Sequence, residues 1–233
     1  IVEDVFTQHG TNEVIDVFGN AQIFSFPKPT KFIEKLLSIG VEVSNQDIVL
    51  DFFGGSGSTA HSILQMNEAD GGNRRYICVQ LPEKTDEQSE AAKAGYATIA
   101  DITAARIKKV IEKIEAARAQ KTDLLNENKP LPKLGFRKFT LAPSNFKLWR
   151  GDVIETEADL VRQMHLFTTP QRATATTSDM AWELLLKNGY GLSEPVTVLT
   201  LDDGLCVYHT ADGHLALVLD GFSAAVQDAV LTL

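Results

Sequence analysis

A short apolar run ends in an acid, turns through three glycines and enters a helix, and this feature most narrows the folds open to the chain. Ile48-Val49-Leu50-Asp51-Phe52 reads as a buried parallel strand. Gly54-Gly55-Ser56-Gly57-Ser58-Thr59 follows it, and a helical stretch runs on to about Met66. Asp70-Gly71-Gly72-Asn73 is a turn, and Tyr76-Ile77-Cys78-Val79-Gln80-Leu81 is a second buried strand stopped by Pro82. Residues 86–94 read as a helix capped by Gly95, and Tyr96-Ala97-Thr98-Ile99 as a short third strand. Residues 101–119 give the clearest helix, with Ile107, Val110, Ile111 and Ile114 in one stripe and Lys108, Lys109, Glu112 and Lys113 outside it. Strand and helix in alternation imply right-handed crossovers and a parallel α/β sheet.

Upstream, Thr11–Gly19 reads as half a helix closed by its glycine. Phe26-Pro27-Lys28-Pro29 is stiff and extended, because proline fixes its own φ and restricts the residue before it. Pro29 suits a helix start, Phe32, Ile33, Leu36 and Leu37 share one face, and Gly40 ends that helix. The first residue is Ile and the earliest methionine is Met66, so the chain reads as a piece of a longer polypeptide. Downstream, Lys129-Pro130-Leu131-Pro132 reads as a linker. Beyond Gly151 come helices near 156–167 and 179–188 and strands at 196–201, 204–209 and 214–219, with a last helix at about 223–230. Asp202-Asp203-Gly204 and Ala211-Asp212-Gly213 are hairpin signals between those strands. The expected organisation is a core over 1–128, a basic linker over 129–150 and a small α+β domain over 151–233.

Composition excludes several classes. With 233 residues, 44% hydrophobic and 23% charged, the chain is globular rather than disordered. No apolar run approaches the roughly 18–20 residues of a bilayer span, and the expected location is the cytoplasm, with no membrane partner. Cys78 and Cys206 are too few for a disulfide scaffold and read as small buried hydrophobes, while the five histidines lack metal-ligand spacing. The net charge of −9 is unevenly spread: residues 102–150 hold 12 basic and 4 acidic groups, and residues 151–233 hold 3 and 12. The basic block is either a solvated helix and linker or a phosphate-facing surface, and the acidic tail would repel a polyanion. Asp202 and Asp203 fit turns better than paired catalytic acids. Trp149 and Phe146, beside Lys147 and Arg150, fit packing better than stacking on bases.

The glycine loop leaves three ligand classes open, besides a purely structural turn. A nucleotide-triphosphate loop needs a lysine before its Ser/Thr, and none is present. Gly55-x-Gly57-x-x-Ala60 matches a dinucleotide fingerprint, but Gln80 stands where that site wants an acid, with Glu83 slightly later. S-adenosylmethionine is the third class: Asp51 can face its ammonium while loop amides face its carboxylate.

Asp51-Phe52-Phe53-Gly54-Gly55-Ser56-Gly57-Ser58-Thr59 resembles the Asp-x-Phe-x-Gly-Ser-Gly-Thr-Thr motif of amino-group DNA methyltransferases, with Ser58 in place of the usual threonine. Phe26-Pro27-Lys28-Pro29-Thr30 resembles their Lys-Pro motif, and its place before the glycine loop is the order of the permuted β group. Residues 71–83, Ala100-Asp101-Ile102, Arg106-Ile107 and Ser144–Trp149 are similar to the Mod subunit of type III restriction–modification systems. The resemblance covers most of residues 10–150 and, more weakly, the tail.

It implies a partial S-adenosylmethionine-dependent methyltransferase sheet of Rossmann-like type followed by a small α+β domain, and a DNA adenine-N6 methyltransferase activity in the whole protein. Asp51, Phe53, Gly55, Ser56 and Gly57 would hold the amino-acid end of S-adenosylmethionine, and Lys28 and Thr30 would close that pocket. Gln80, Leu81 and Pro82 would lie by the ribose and adenine. The implied partners are DNA, a second Mod protomer and the restriction (Res) subunit; the alternatives are a non-catalytic binding module or an NAD-type oxidoreductase domain. One departure matters: the family's Asp/Asn-Pro-Pro-aromatic motif, which grips a flipped base, has no counterpart, since the chain contains no Pro-Pro pair. No catalytic residue is therefore assigned and the chain alone is expected to be inactive. Strand 48–52 is expected to lack a neighbour on one side, which invites pairing with another chain.

Overall fold

A computed structural model describes residues 4–41, 47–121, 131–168 and 171–232. They form two compact units, residues 1–138 and 139–233. Lys129 and Pro130 of the expected linker lie outside the described residues.

The first unit contains α1 (Thr7–Phe18), α2 (Thr30–Leu37), β1 (Ile48–Asp51), α3 (Ser58–Asp70), β2 (Arg75–Cys78), α4 (Glu90–Lys93) and α5 (Ile99–Lys121). β1 and β2 run parallel, with Ile48 opposite Arg75 and Asp51 opposite Cys78. Among the described residues, β1 pairs on one side only. Alternation along the strands decides what each face meets. Tyr76 and Cys78 pack on a core of Val17, Ala60, Leu64, Ile107 and Val110 from α1, α3 and α5. Ile48, Leu50 and Ile77 point the other way and stay 51%, 48% and 49% exposed. The sheet thus has one covered face and one bare apolar face. A second cluster joins Val14, Ile23, Ala91 and Ile102, with Phe18, Phe24, Tyr96 and Ile99 around it.

The turn between α3 and β2 is sealed by side chains. Gly71 closes α3 at φ +74, and the buried Asn67 both donates to Arg74 O at 2.9 Å and accepts from Arg74 N–H at 3.1 Å. The Arg74 guanidinium pairs with Asp70 at 2.8 Å.

Two expected elements differ. The stretch read as a third strand makes only an isolated antiparallel bridge, Lys84 to Thr98, because Thr98 opens α5 instead. Thr98 and Asp101 form a reciprocal cap: Asp101 N–H donates to Thr98 Oγ1 at 3.2 Å, and Thr98 N–H donates to Asp101 Oδ2 at 3.1 Å. The helix expected over 86–94 shortens to α4, since Ser89 caps it by accepting from Ala92 N–H at 3.2 Å. Several side chains of the basic block are held by acids: Lys113 by Asp16, Arg118 by Glu68 and Lys138 by Asp101.

The second unit has α6 (Glu157–Leu166), α7 (Thr177–Lys187), β3 (Val196–Thr200), β4 (Cys206–Thr210), β5 (Ala216–Val218) and α8 (Ala224–Leu231). Its strands form an antiparallel sheet in the order β3-β4-β5. Both hairpins turn on an aspartate. Asp203 accepts from Leu205 N–H at 3.1 Å, and Asp212 accepts from His214 N–H at 3.0 Å. Met180, Ala181, Leu185, Val207 and Val226 are buried there. Glu183 gathers Ser144, Asn145 and Lys187. Burial works against its charge, but these hydrogen bonds win and hold the carboxyl at about 2. Trp149 stacks edge-on with Phe167, 5.2 Å between ring centres, and Arg150 pairs with Asp152. No helix among the described residues is long and apolar enough to cross a membrane.

At Gly10 α1 comes into close backbone contact with the chain ahead of α2. A Cβ added there would lie 2.2 Å from the Pro27 carbonyl oxygen, so α1 and the Pro27–Pro29 segment touch main chain to main chain. Gly10→Ala should lower stability by roughly 1–3 kcal/mol in a denaturant titration, through overpacking. Gly40→Ala, which meets open space, should change it by less than about 0.5 kcal/mol.

Candidate functional site

Three segments meet where β1 ends. The parallel ladder runs on past the strands: Val79 N–H donates to Asp51 O at 2.8 Å, and Gly54 N–H to Val79 O at 3.0 Å. The glycine loop therefore leaves β1 directly beside the end of β2. It closes on itself through Gly57 N–H to Gly54 O at 2.7 Å. Gly57 caps α3 at φ +81, and a Cβ on it would lie 3.1 Å from the Thr103 carbonyl oxygen. Thr103 Oγ1 donates to Gly55 O at 2.6 Å, so α5 supports the loop from behind. The first turn of α3 presents amides that have no intrahelical acceptor and carries a partial positive charge.

Asp51 is fixed between loop and helix. Its Oδ1 accepts from Phe53 N–H at 2.9 Å, and its Oδ2 from Thr59 Oγ1 at 2.6 Å. Each oxygen has capacity for a further donor. Opposite it, burial and the Asp51 charge push the Cys78 thiol up to about 11, so Cys78 stays protonated. Gln80 reaches across from the end of β2: its Oε1 accepts from Gly55 N–H at 2.8 Å. Phe53, Leu81 and Pro82 are exposed.

The Lys28 segment lies against the start of α3. Pro27, Pro29 and Thr30 are buried while the Lys28 side chain is exposed. Lys28 O accepts from Ser58 Oγ at 2.7 Å, and Thr30 O accepts from Ser62 Oγ at 3.2 Å. Phe26 precedes them at φ +55 with its ring 91% exposed, a conformation that costs a bulky residue strain. A cavity of about 270 Å³ opens nearby, lined in part by Ile23, Phe24, Ile99 and Ile102. The Phe24 ring lies 3.6 Å from where a Gly55 Cβ would stand.

Behind this meeting point sits a group to which the motif resemblance assigns no role. Arg106 of α5 is fully buried and bonds Glu13, Ser56, Ser58 and His61. The signal for it is present: Ile102, Arg106 and Val110 are four apart, which sets an arginine in the middle of a buried stripe. Glu13 and Thr103 are absent from the motif reading, and Thr59 closes the motif without an assigned role; polar side chains that meet a loop from three different helices have no sequence spacing to betray them. Among the described residues, no three of His, Cys, Asp and Glu gather as a metal group.

Burial and the neighbouring Arg106 charge push His61 down to about 3. The ring is therefore neutral, and its Nδ1 accepts from Arg106 Nε at 3.2 Å. The unfolded chain protonates His61 near 6.5, whereas the folded chain resists protonation until about 3. Stability from this group is complete above the unfolded value and is lost as pH falls through that window. Between pH 7 and pH 5 the wild type should lose about 2 kcal/mol that His61→Asn does not lose. Thermal unfolding of both chains at the two pH values checks this; equal losses would contradict it.

With this geometry in hand, comparison with known proteins is specific. A family model for DNA methylase matches residues 2–93, the stretch that holds α1, the Lys28 segment, the glycine loop and Gln80. The EcoP15I Mod subunit of a type III restriction–modification enzyme from Escherichia coli is 31% identical over 228 residues, covering 95% of this chain and 30% of that protein. The EcoPI Mod subunit of Escherichia phage P1 is 39% identical over 230 residues, covering 97% of this chain and 32% of that protein. The StyLTI Mod subunit of Salmonella typhimurium is 39% identical over 109 residues, covering 47% of this chain and 16% of that protein. The chain thus spans about a third or less of the length of these relatives. Residues 2–93 thus match the DNA methylase family, and over nearly its whole length the chain is similar to Mod subunits of type III restriction–modification enzymes.

Proposed function

We propose that residues 1–128 are the S-adenosylmethionine-binding portion of a site-specific DNA adenine-N6 methyltransferase, residues 129–150 a linker and residues 151–233 a separate small domain. The observation that carries this is the convergence of the Asp51 carboxylate, the start of α3 and the Lys28–Thr30 segment at one end of β1. That donor set suits a zwitterion: a fixed acid beside a patch of amides with positive polarity. S-adenosylmethionine, when bound, supplies a methyl group activated by its sulfonium.

The chain's own residues hold and orient. Asp51 faces the ammonium with the oxygen capacity left after Phe53 and Thr59 are served. Amides of Gly55, Ser56 and the first turn of α3 face the carboxylate, and Gly57, its N–H held by Gly54 O, shapes the turn that lets the ligand approach. Gln80 exchanges its bond to Gly55 N–H for a ribose hydroxyl, as an uncharged acceptor. Phe53 and Pro82 flank the ligand, and Lys28 and Thr30 close the pocket. β1 and β2 belong to a Rossmann-like sheet whose bare face and unpaired edge are covered in the whole protein. Transfer to the base falls to an Asp/Asn-Pro-Pro-aromatic element outside this sequence. DNA, a second Mod protomer and the Res subunit are partners of the whole cytoplasmic protein.

Calorimetric titration tests the reading. The chain should bind S-adenosylmethionine with a Kd on the order of micromolar and bind NAD no better than about millimolar. Asp51→Asn keeps an acceptor for Phe53 N–H and offers Thr59 Oγ1 a donor in place of an acceptor, but removes the charge, and should weaken binding by about 10–100-fold. Preference for NAD, or an unchanged affinity in Asp51→Asn, would contradict it.

A further inference from the structure

Arg106 uses all five of its N–H groups. Nε and Nη2 donate to His61 Nδ1 at 3.2 and 3.1 Å, Nη1 donates to Ser56 Oγ at 3.0 Å and to Ser58 Oγ at 3.1 Å, and Nη2 also donates to Glu13 Oε2 at 2.8 Å. Glu13 in turn accepts from Thr30 N–H and from Thr30 Oγ1, both at 2.9 Å. Ser58 Oγ donates onward to Lys28 O at 2.7 Å. The bonds form a closed ring: loop to Arg106, Arg106 to Glu13, Glu13 to Thr30, along the chain to Lys28, and Lys28 back to the loop.

Each polar atom in the ring has a consistent role. Ser56 accepts from Arg106 and can donate to Ser58 at 3.1 Å, and Ser58 accepts both bonds and donates to Lys28 O. A guanidinium, with five donors in a rigid fork, can serve the two serines, the histidine and the acid at once, which a lysine cannot. Buried ionic groups are costly unless every partner is supplied, so loss of one member loosens the rest.

We propose that Arg106 and Glu13 are positioning residues that lock the glycine loop and the Lys28–Thr30 segment into one preformed pocket, so that the two lips of the site order and open together. This rests on the reading of that pocket as an S-adenosylmethionine site. A site ordered before binding does not spend ligand affinity on ordering it.

The test is hydrogen–deuterium exchange of the full chain, with S-adenosylmethionine titration beside it. Glu13→Gln is nearly isosteric and contacts Thr30 and Arg106, yet it should speed exchange by about tenfold or more both at residues 28–33 and at residues 54–59, with residues 108–114 of α5 unchanged. S-adenosylmethionine affinity should fall by about tenfold. Arg106→Lys should do the same, and the double variant should lose no more than Arg106→Lys alone. If Glu13→Gln fails to fold, Thr30→Val leaves the Glu13–Arg106 pair in place and should still raise exchange at 54–59. Faster exchange confined to the substituted lip, or additive losses in the double variant, would overturn the coupling. A wild-type chain that ignores S-adenosylmethionine but shows coupled exchange would remove the ligand assignment and leave the coupling standing. A chain that binds it and shows uncoupled exchange would do the reverse.

Discussion

A guanidinium taken fully out of water dominates the organisation of the first unit. Removing such a charge from solvent costs several kcal/mol unless it is paired and every donor is used. Arg106 meets that condition with Glu13, His61, Ser56 and Ser58, and the groups that satisfy it are fixed in consequence. α1 must present Glu13 inward, α3 must begin where its first serine can reach, and His61 must remain neutral to accept. The close main-chain contact at Gly10 follows from the same demand, because α1 has to lie against the Pro27–Pro29 segment for Glu13 to reach Thr30.

Much of this fold was legible in the residues. Ile48–Asp51 followed by glycines marks β1 and the turn into α3 by composition alone. Ile107, Val110, Ile111 and Ile114 mark the buried face of α5 by period. Asp203 and Asp212 mark the hairpins because an aspartate can accept from the amide two residues on. The reading failed where two local signals compete. Thr98 sits in an apolar run that looks like a strand, yet Asp101 three residues later completes a helix cap, and the cap prevails. The front of the site was visible too, since Asp51, Gly55, Gly57 and Lys28 carry the motifs. The roles at its back were not, because Glu13 of α1, Thr59 of α3, and Thr103 and Arg106 of α5 converge only in three dimensions.

On the proposed reading, cofactor binding and base methylation are separable in such a chain, and the sheet gives the reason. Everything needed to shape the end of β1 is contributed by residues before and after it within the first unit. The opposite sheet face offers Ile48, Leu50 and Ile77 to solvent, half exposed, and β1 has one free edge among the described residues. The Mod relatives are about three times as long over the same match. In the proposed account, a pocket built from behind by an ion pair holds its ligand end without the elements that read DNA.

A crystal structure of the chain with S-adenosylhomocysteine tests the central claim most directly. The account predicts the ligand's ammonium within about 2.7–3.2 Å of the Asp51 carboxylate and its carboxylate against the first turn of α3. Ligand seated elsewhere, such as the cavity bounded by Lys84, Glu87, Ala92 and Ala97, with Asp51 bound only to Phe53 and Thr59, would contradict it.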